Sequence, residues 1–126
     1  MDHLRIPVSV GEVIDKITIL EIKVNHLSGQ RRQNVQKELS LLQETLQESG
    51  VEIDDPLRDA LKTVNQTLWD IEDKIRDQER IKSFGDAFIQ LARSVYIQND
   101  RRAALKRKIN EACGSELVEE KAYQAY

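Results

Sequence analysis

The sequence predicts an all-α protein: an antiparallel four-helix bundle or a pair of long helical hairpins, with a short C-terminal helical tail. Three observations support this class. Apolar residues recur at three- and four-residue spacing, Gly and Pro are scarce, and charged residues are interspersed throughout the 126-residue chain. This spacing places apolar side chains on one face of a helix, whereas strands would need strict alternation. We expect a single helical domain over residues 1–126.

The first helix is predicted over residues 9–28 and is the element best suited to a central position. Ser9 and Glu12 have the spacing of a helix-capping pair at its start. One apolar face contains Val10, Val13, Ile14, Ile17, Leu20, Val24 and Leu27. Ile19 and Ile22 lie roughly half a turn away, so the helix is apolar on two sides. We therefore expect it to pack against partners on both.

Further helices follow at short intervals. They are predicted over residues 31–49, 56–82 and 84–112, with a short one over 116–124. The second has a single narrow apolar stripe, which is typical of a surface helix. The third begins at Asp55 and Pro56, a capping residue and a favoured first helical residue. Its apolar residues step by four and three in turn, which favours coiled-coil-like packing. Ser115 is the expected cap of the last helix.

The overall charge and the lack of long apolar runs limit the kinds of partner. The formal net charge is only −3, which predicts neither nucleic acid nor an anionic membrane surface. No apolar run is long enough for a membrane span, and the first residues lack a signal-peptide core. The one cysteine, Cys113, fits a reduced compartment. We therefore expect a cytoplasmic protein, and no cofactor is assigned.

A polar cluster interrupts the apolar seam of the fourth helix. Its members are Arg93, Tyr96, Asn99, Asp100 and Arg101, and Glu72 on the third helix can join them. Arg can bind an anion with two hydrogen bonds, so the cluster is a candidate ligand site. Alternatively these side chains face water. The basic run Arg101, Arg102, Lys106, Arg107 and Lys108 is interpreted as a solvated face near a helix C-terminus.

Two pairs of acidic residues have the spacing of neighbours on a helix. Glu12 and Asp15 lie on the first helix, and Asp70 and Asp73 lie on the third. Facing pairs of carboxylates can hold Mg²⁺. The Glu-rich motifs of the all-α nucleotide pyrophosphohydrolases are absent, however, and acids near a helix start also serve as capping and dipole partners. No metal site is assigned.

Several longer segments carry a family resemblance. They are IPVSVGEVIDKITILEIK, LWDIEDKIR, FIQLARSVYIQNDRRAALKRKIN and GSELVEEKAY. Together they resemble a family of short all-helical bacterial and phage proteins of unknown function. The resemblance covers nearly the whole chain and implies a cytosolic helical protein. It supplies no established activity and no catalytic residues.

Two functions remain open from the sequence. The first is a non-enzymatic interaction or assembly module acting as a homodimer, or with another protein, through Asp15, Ile19, Ile22 and His26 on the second face of the first helix. The alternative is a protein or enzyme that binds a nucleotide or sugar phosphate at the polar cluster. The sequence identifies no catalytic residue and leaves enzymatic activity undecided.

Overall fold

The computed structural model describes residues 2–126 and contains four α-helices. They are α1 (Val10–His26), α2 (Gly29–Ser49), α3 (Asp55–Arg80) and α4 (Asp86–Cys113). The all-α prediction is confirmed, and each helix begins and ends within two residues of the expected position. Among residues 2–126, no helix has both the length and the apolar character needed to cross a bilayer.

The start of α1 is capped in only one of the two expected ways. The Ser9 hydroxyl accepts a hydrogen bond from the Glu12 N–H over 3.2 Å, as a cap does. The Glu12 carboxylate does not complete the reciprocal pair. It instead accepts a hydrogen bond from Lys106 on α4 over 2.7 Å, because the packing of α4 brings a cation within its reach.

The chain forms two helical hairpins, and α1 lies between the others. It packs against α2, α3 and α4, whereas α2 packs against α1 alone. Contacts of Gly11 with Asn110 and of Asp15 with Arg102 make α1 antiparallel to α4. The predicted central position of α1 thus follows from apolar residues on both of its sides.

The core lies where α1, α3 and α4 meet. Ile14, Leu61 and Ile109 are at most 1% exposed and contact one another. Half-buried apolar side chains pack around them: Val10, Leu46, Ile53, Leu57, Leu105 and Cys113. Leu46 is the contribution of α2, which buries no residue completely. The prediction that α2 is a surface helix agrees with this arrangement.

The expected helix over residues 116–124 is wrong. The tail, residues 115–126, contains no helix and runs beside α4. The Ser115 hydroxyl, expected to cap a helix, accepts from the Val10 N–H over 3.2 Å and donates to the Leu117 carbonyl over 2.7 Å. Glu119 pairs with Lys106. Contacts with α1 and α4 therefore replace the hydrogen bonds that a short helix would make.

Candidate functional site

Polar side chains fill the contact between α1, α3 and α4 at the level of Asp15, which is 1% exposed. Arg102 donates from Nε to Oδ1 over 2.9 Å and from Nη2 to Oδ2 over 2.5 Å. Asn65 on α3 donates to Oδ1 over 2.9 Å and also to the Thr18 hydroxyl. A buried carboxylate is costly unless its oxygens are paired in this way. One acid therefore joins three helices.

Lys106, one turn after Arg102 on α4, is the second buried charge. It is 5% exposed, and its Nζ lies 2.7 Å from Glu12 Oε2 and 3.2 Å from Glu119 Oε2. A third carboxylate, that of Asp15, lies 3.9 Å away. Because Glu12 belongs to α1 and Glu119 to the tail, Lys106 connects both segments to α4.

These pairings hold the buried groups in their charged forms. Burial alone would raise the pKa of Asp15, but hydrogen bonds from Arg102 and Asn65 outweigh it, so the pKa lies below its usual 3.8. Burial likewise opposes the charge of Lys106, yet the hydrogen bond to Glu12 and the Asp15 charge raise its pKa above the usual 10.5. Both shifts move the pKa further from pH 7. The two groups therefore suit fixed charges better than proton transfer near neutral pH.

Gly11 allows α1 and α4 to approach closely beside this network. A Cβ atom there would lie 2.6 Å from the Lys106 carbonyl oxygen and 3.0 Å from Asn110 Oδ1. The Gly11 N–H donates to that same Oδ1 over 2.6 Å, and the Val10 N–H donates to Ser115 Oγ. The first N–H groups of a helix have no acceptor within the helix. Here α4 and the tail supply the acceptors.

A cleft of about 710 Å³ opens between α4 and the tail. The polar and aromatic residues of its lining are Glu12, Tyr96, Asn99, Asp100, Arg102, Lys106, Glu119, Lys121, Tyr123, Gln124 and Tyr126. The rings of Tyr96 and Tyr126, both part of this lining, meet edge to face at 5.0 Å. This volume is in the range of small-molecule sites.

Charges of both signs are balanced in this cleft. The lining contains three carboxylates and three cations, namely Glu12, Asp100 and Glu119 against Arg102, Lys106 and Lys121. Within residues 2–126, Arg102 Nη1 donates only to Asn99 Oδ1, over 3.5 Å, so Nη1 has an N–H left to donate to a ligand. The Asp100 carboxylate near the Tyr126 hydroxyl raises the pKa of Tyr126.

The structure divides the six residues expected at a ligand site into two groups. Tyr96, Asn99 and Asp100 line the cleft. Arg93 and Arg101 are exposed on α4 and are not part of the lining. Glu72 is exposed on α3, where its carboxylate lies 3.6 Å from Arg76. The structure therefore does not bring Arg93, Arg101 and Glu72 to the other three.

Sequence reasoning missed Arg102 and Lys106, which were interpreted as part of a solvated face. Lys106 is buried and Arg102 is partly buried, whereas Arg107 and Lys108 are exposed as expected. A signal was present, since Arg102 falls on the same face of α4 as its apolar residues. Charges at such positions are buried only when paired, and Asp15 is the partner that the sequence alone did not reveal.

The four residues expected at a dimer interface also differ in how far they are buried. Asp15 and Ile22 are buried by the protein's own helices and have no surface to offer a second chain. Ile19 is half-buried and His26 is exposed. The imidazole of His26 stacks on the indole of Trp69 at 4.7 Å between centroids, and this contact joins the end of α1 to α3.

The two acidic pairs lie in different surroundings. Asp15 is occupied by Arg102, and Glu12 by Lys106. Asp70 and Asp73 are exposed on α3. Within residues 2–126 no group of three acidic, His or Cys side chains is placed to hold a metal ion.

Apolar side chains are exposed at the turn between α3 and α4. We call Ile81, Phe84 and Ile89 the hairpin end; they are 69%, 50% and 49% exposed. The rings of Phe84 and Phe88 meet edge to face at 5.3 Å. In α3 no residue after Ile71 is fully buried, and in α4 no residue before Lys106 is fully buried. The far half of this hairpin therefore has no third helix over it.

These features define the class of protein as a small all-α protein of two helical hairpins, with a buried ion-pair network beside an open cleft. The chain belongs to the family of unknown function DUF6165, whose model matches residues 4–126. The family resemblance found in the sequence is thereby confirmed. Searches of curated proteins and of solved structures returned no significant match.

Proposed function

We propose that the protein is a non-enzymatic interaction module that assembles as a homodimer in the cytoplasm through the hairpin end. The observation that carries this proposal is the exposure of Ile81, Phe84 and Ile89 on adjoining parts of one hairpin. Contiguous apolar side chains of this size at a surface mark interaction sites in soluble proteins.

A second copy is the partner that suits this surface. The last turn of α1 stacks on Trp69 through His26, so α1 covers α3 and α4 only up to that level. Beyond it, Ile75, Leu91 and Val95 are only half-buried. A two-fold related hairpin supplies two helices of matching length and completes an antiparallel four-helix bundle with a coiled-coil-like seam. Such a contact is self-complementary and closed.

This proposal moves the interface from α1 to the α3–α4 hairpin. Asp15 and Ile22 are occupied within the chain, which removes the two most buried members of the interface expected from the sequence. His26 is engaged by its stacking on Trp69 of α3. The second apolar side of α1 is explained by its packing against three helices.

Sedimentation equilibrium over a wide range of concentrations tests the proposal. We expect a reversible dimer, and we expect Phe84→Glu to weaken it by about tenfold or more, because the dimer would bury an unpaired carboxylate. Leu4→Glu is the matched control. Leu4 is 82% exposed and lies before the start of α1, whereas the end of α1 is the part nearer the hairpin end. A wild-type chain that stays monomeric throughout, or a Phe84→Glu dimer as tight as the control, contradicts the proposal.

A second candidate is binding of a small anionic ligand, a nucleotide or sugar phosphate, in the cleft between α4 and the tail. The observation that favours it is the convergence of Tyr96, Asn99 and Asp100 on that cleft beside Arg102. The free N–H groups of Arg102 suit a phosphate oxygen, and Tyr96 offers a ring for stacking. The three carboxylates of the lining weigh against a ligand of high negative charge.

Thermal unfolding with nucleotides and sugar phosphates distinguishes the two candidates. A ligand whose concentration is 100 times its dissociation constant raises the free energy of unfolding by about 2.7 kcal/mol. We expect Asn99→Ala to abolish such a shift and Arg93→Ala to retain it, because only Asn99 lines the cleft. If no compound raises the unfolding temperature, or if both variants respond alike, the cleft is not the site.

A further inference from the structure

The tail is held to α4 mainly by charged side chains. Glu119 pairs with Lys106 at 3.2 Å, and Glu120 pairs with Arg107 at 3.0 Å. Ser115 adds the hydrogen bond from the Val10 N–H where the tail begins. Consecutive glutamates thus meet consecutive cations of one helix. The contact resembles a bound acidic peptide more than a packed structural element.

The surface of α4 beneath the tail is shaped to receive an extended chain. Ala103 and Ala104 precede the two cations by about one turn, and their small side chains leave space above the helix. A pocket of about 210 Å³ lies between these alanines and the segment 119–121. Small residues let a backbone approach closely, while the cations at the pocket wall select carboxylates.

The tail can leave this surface without unfolding the helices. The Arg107 and Glu120 side chains are 50% and 71% exposed, so water screens their ion pair and it holds the tail only weakly. Tyr123 and Tyr126 are exposed, so little apolar area holds the far end of the tail. Gly114, with φ +64°, ends α4 in the left-handed conformation that glycine favours and separates helix from tail.

We propose that the α4 surface formed by Ala103, Lys106 and Arg107 binds an extended acidic peptide segment of a partner protein, and that the tail occupies it as an internal ligand. The chemistry of the partner follows from that of the tail. It is an unstructured segment with two adjacent carboxylates after apolar residues, as Leu117 and Val118 precede Glu119. This surface is distinct from the hairpin end, so one chain could assemble and bind a partner together.

Fluorescence anisotropy with a labelled synthetic peptide tests the proposal. The probe has the sequence of residues 114–126 and is added to the full chain. The double variant Glu119→Gln, Glu120→Gln removes the carboxylates that hold the chain's own tail, and it leaves Lys106 with Glu12. We expect the probe to bind this variant several-fold more tightly than the wild-type chain, whose tail competes for the surface. Added salt should weaken binding, because charges dominate the contact.

Two matched controls show whether the surface itself is responsible. In the double-variant background, Arg107→Gln should weaken probe binding several-fold. Lys108→Gln should not, because within the described residues 2–126 Lys108 is exposed and forms no ion pair. A probe with Gln at both glutamate positions should fail to bind. Equal binding to wild type and double variant, or equal effects of Arg107→Gln and Lys108→Gln, overturns the proposal. Dimers of the wild-type chain that the probe dissociates also overturn it, because the occupant would then be a second copy's tail.

Discussion

Arg102 and Asp15 form a two-point ion pair that joins α4 to α1, with the carboxylate buried and the guanidinium partly exposed. The Nε and Nη2 groups each meet a different oxygen of Asp15. The flat guanidinium matches the carboxylate in this geometry, so the pair fixes the rotation of α4 about its axis as well as its position.

Loss of this carboxylate should destabilise the fold. We expect Asp15→Asn to lower the free energy of unfolding by about 3 kcal/mol, because Arg102 and Lys106 are left near a neutral group. Urea denaturation followed by circular dichroism measures the change. Asp70→Asn, on the exposed face of α3, is the control and should change stability by at most about 0.5 kcal/mol. Equal effects of the two substitutions would show that the ion pair has no net value.

The close approach at Gly11 should tolerate no side chain. Ala is normally the better helix former by about 1 kcal/mol. Gly11→Ala should nevertheless destabilise by about 1–3 kcal/mol, because its Cβ would lie 2.6 Å from the Lys106 carbonyl oxygen.

The matched control for Gly11 is Gly85→Ala. Gly85 is the residue that caps the start of α4, and within residues 2–126 no atom beyond its chain neighbours lies within 4 Å of the position that an alanine Cβ would take, so Ala meets no steric conflict. We expect this change to cost at most about 1 kcal/mol, because Ala is a poorer helix cap than Gly and its restriction of the unfolded chain offsets only part of that loss. Thermal melts should show a clearly larger loss of stability for Gly11→Ala than for Gly85→Ala. A stable Gly11→Ala protein would mean that α1 and α4 can separate at little cost.

Acid should weaken the protein through Asp15. The folded-state pKa of Asp15 is lower than its usual 3.8, so the unfolded chain takes up this proton first as the pH falls. The stabilisation is complete above the unfolded pKa, begins to be lost as the pH falls below that pKa of 3.8, and is gone once the pH is below the folded-state pKa. Unfolding midpoints at decreasing pH measure this loss. The Asp15→Asn variant, which lacks the titrating group, should show a flatter acid dependence; an unchanged slope would assign acid sensitivity to other groups.

The two isoleucines on the second side of α1 should differ in their contribution to stability. Ile22 is 2% exposed and Ile19 is half-buried. Ile22→Ala should cost about 3 kcal/mol, and Ile19→Ala about 1 kcal/mol, because only the first leaves an enclosed cavity. Chemical denaturation at low protein concentration checks this, since dimerisation would otherwise add to the result. A larger loss at Ile19 than at Ile22 would contradict the prediction, because Ile19 would then be the more tightly packed of the two within one chain.

The helices were predictable because their information is local. Apolar spacing, the Ser9 cap and Pro56 each act within one or two turns, and each helix was found close to its expected bounds. The tail was not predictable in this way. Ser115 is an ordinary helix-capping residue, but its hydroxyl is used by Val10, 105 positions earlier in the chain. The contact with a distant residue therefore outweighed the local capping preference of Ser115.

The candidate site was predictable only in part for a related reason. Arg101 and Arg102 are adjacent in sequence, and their directions differ by about 100° around a helix. Only Arg102 faces α1, where Asp15 lies. The rotation of α4 depends on contacts between residues 87 positions apart, which no single stretch of sequence contains. Tyr96, Asn99 and Asp100 could be predicted to lie together because they fall on neighbouring turns, and all three line the cleft.

The hydrogen bonds from Val10 to Ser115 and from Gly11 to Asn110 have a consequence for biosynthesis. The ribosome makes α1 before α4 and the tail, so the acceptors for the first N–H groups of α1 emerge about one hundred residues later. Contacts between such distant parts of a chain form late and slow the search for the native arrangement. The first N–H groups of α1 therefore stay without their native acceptors until Asn110 and Ser115 have been synthesised.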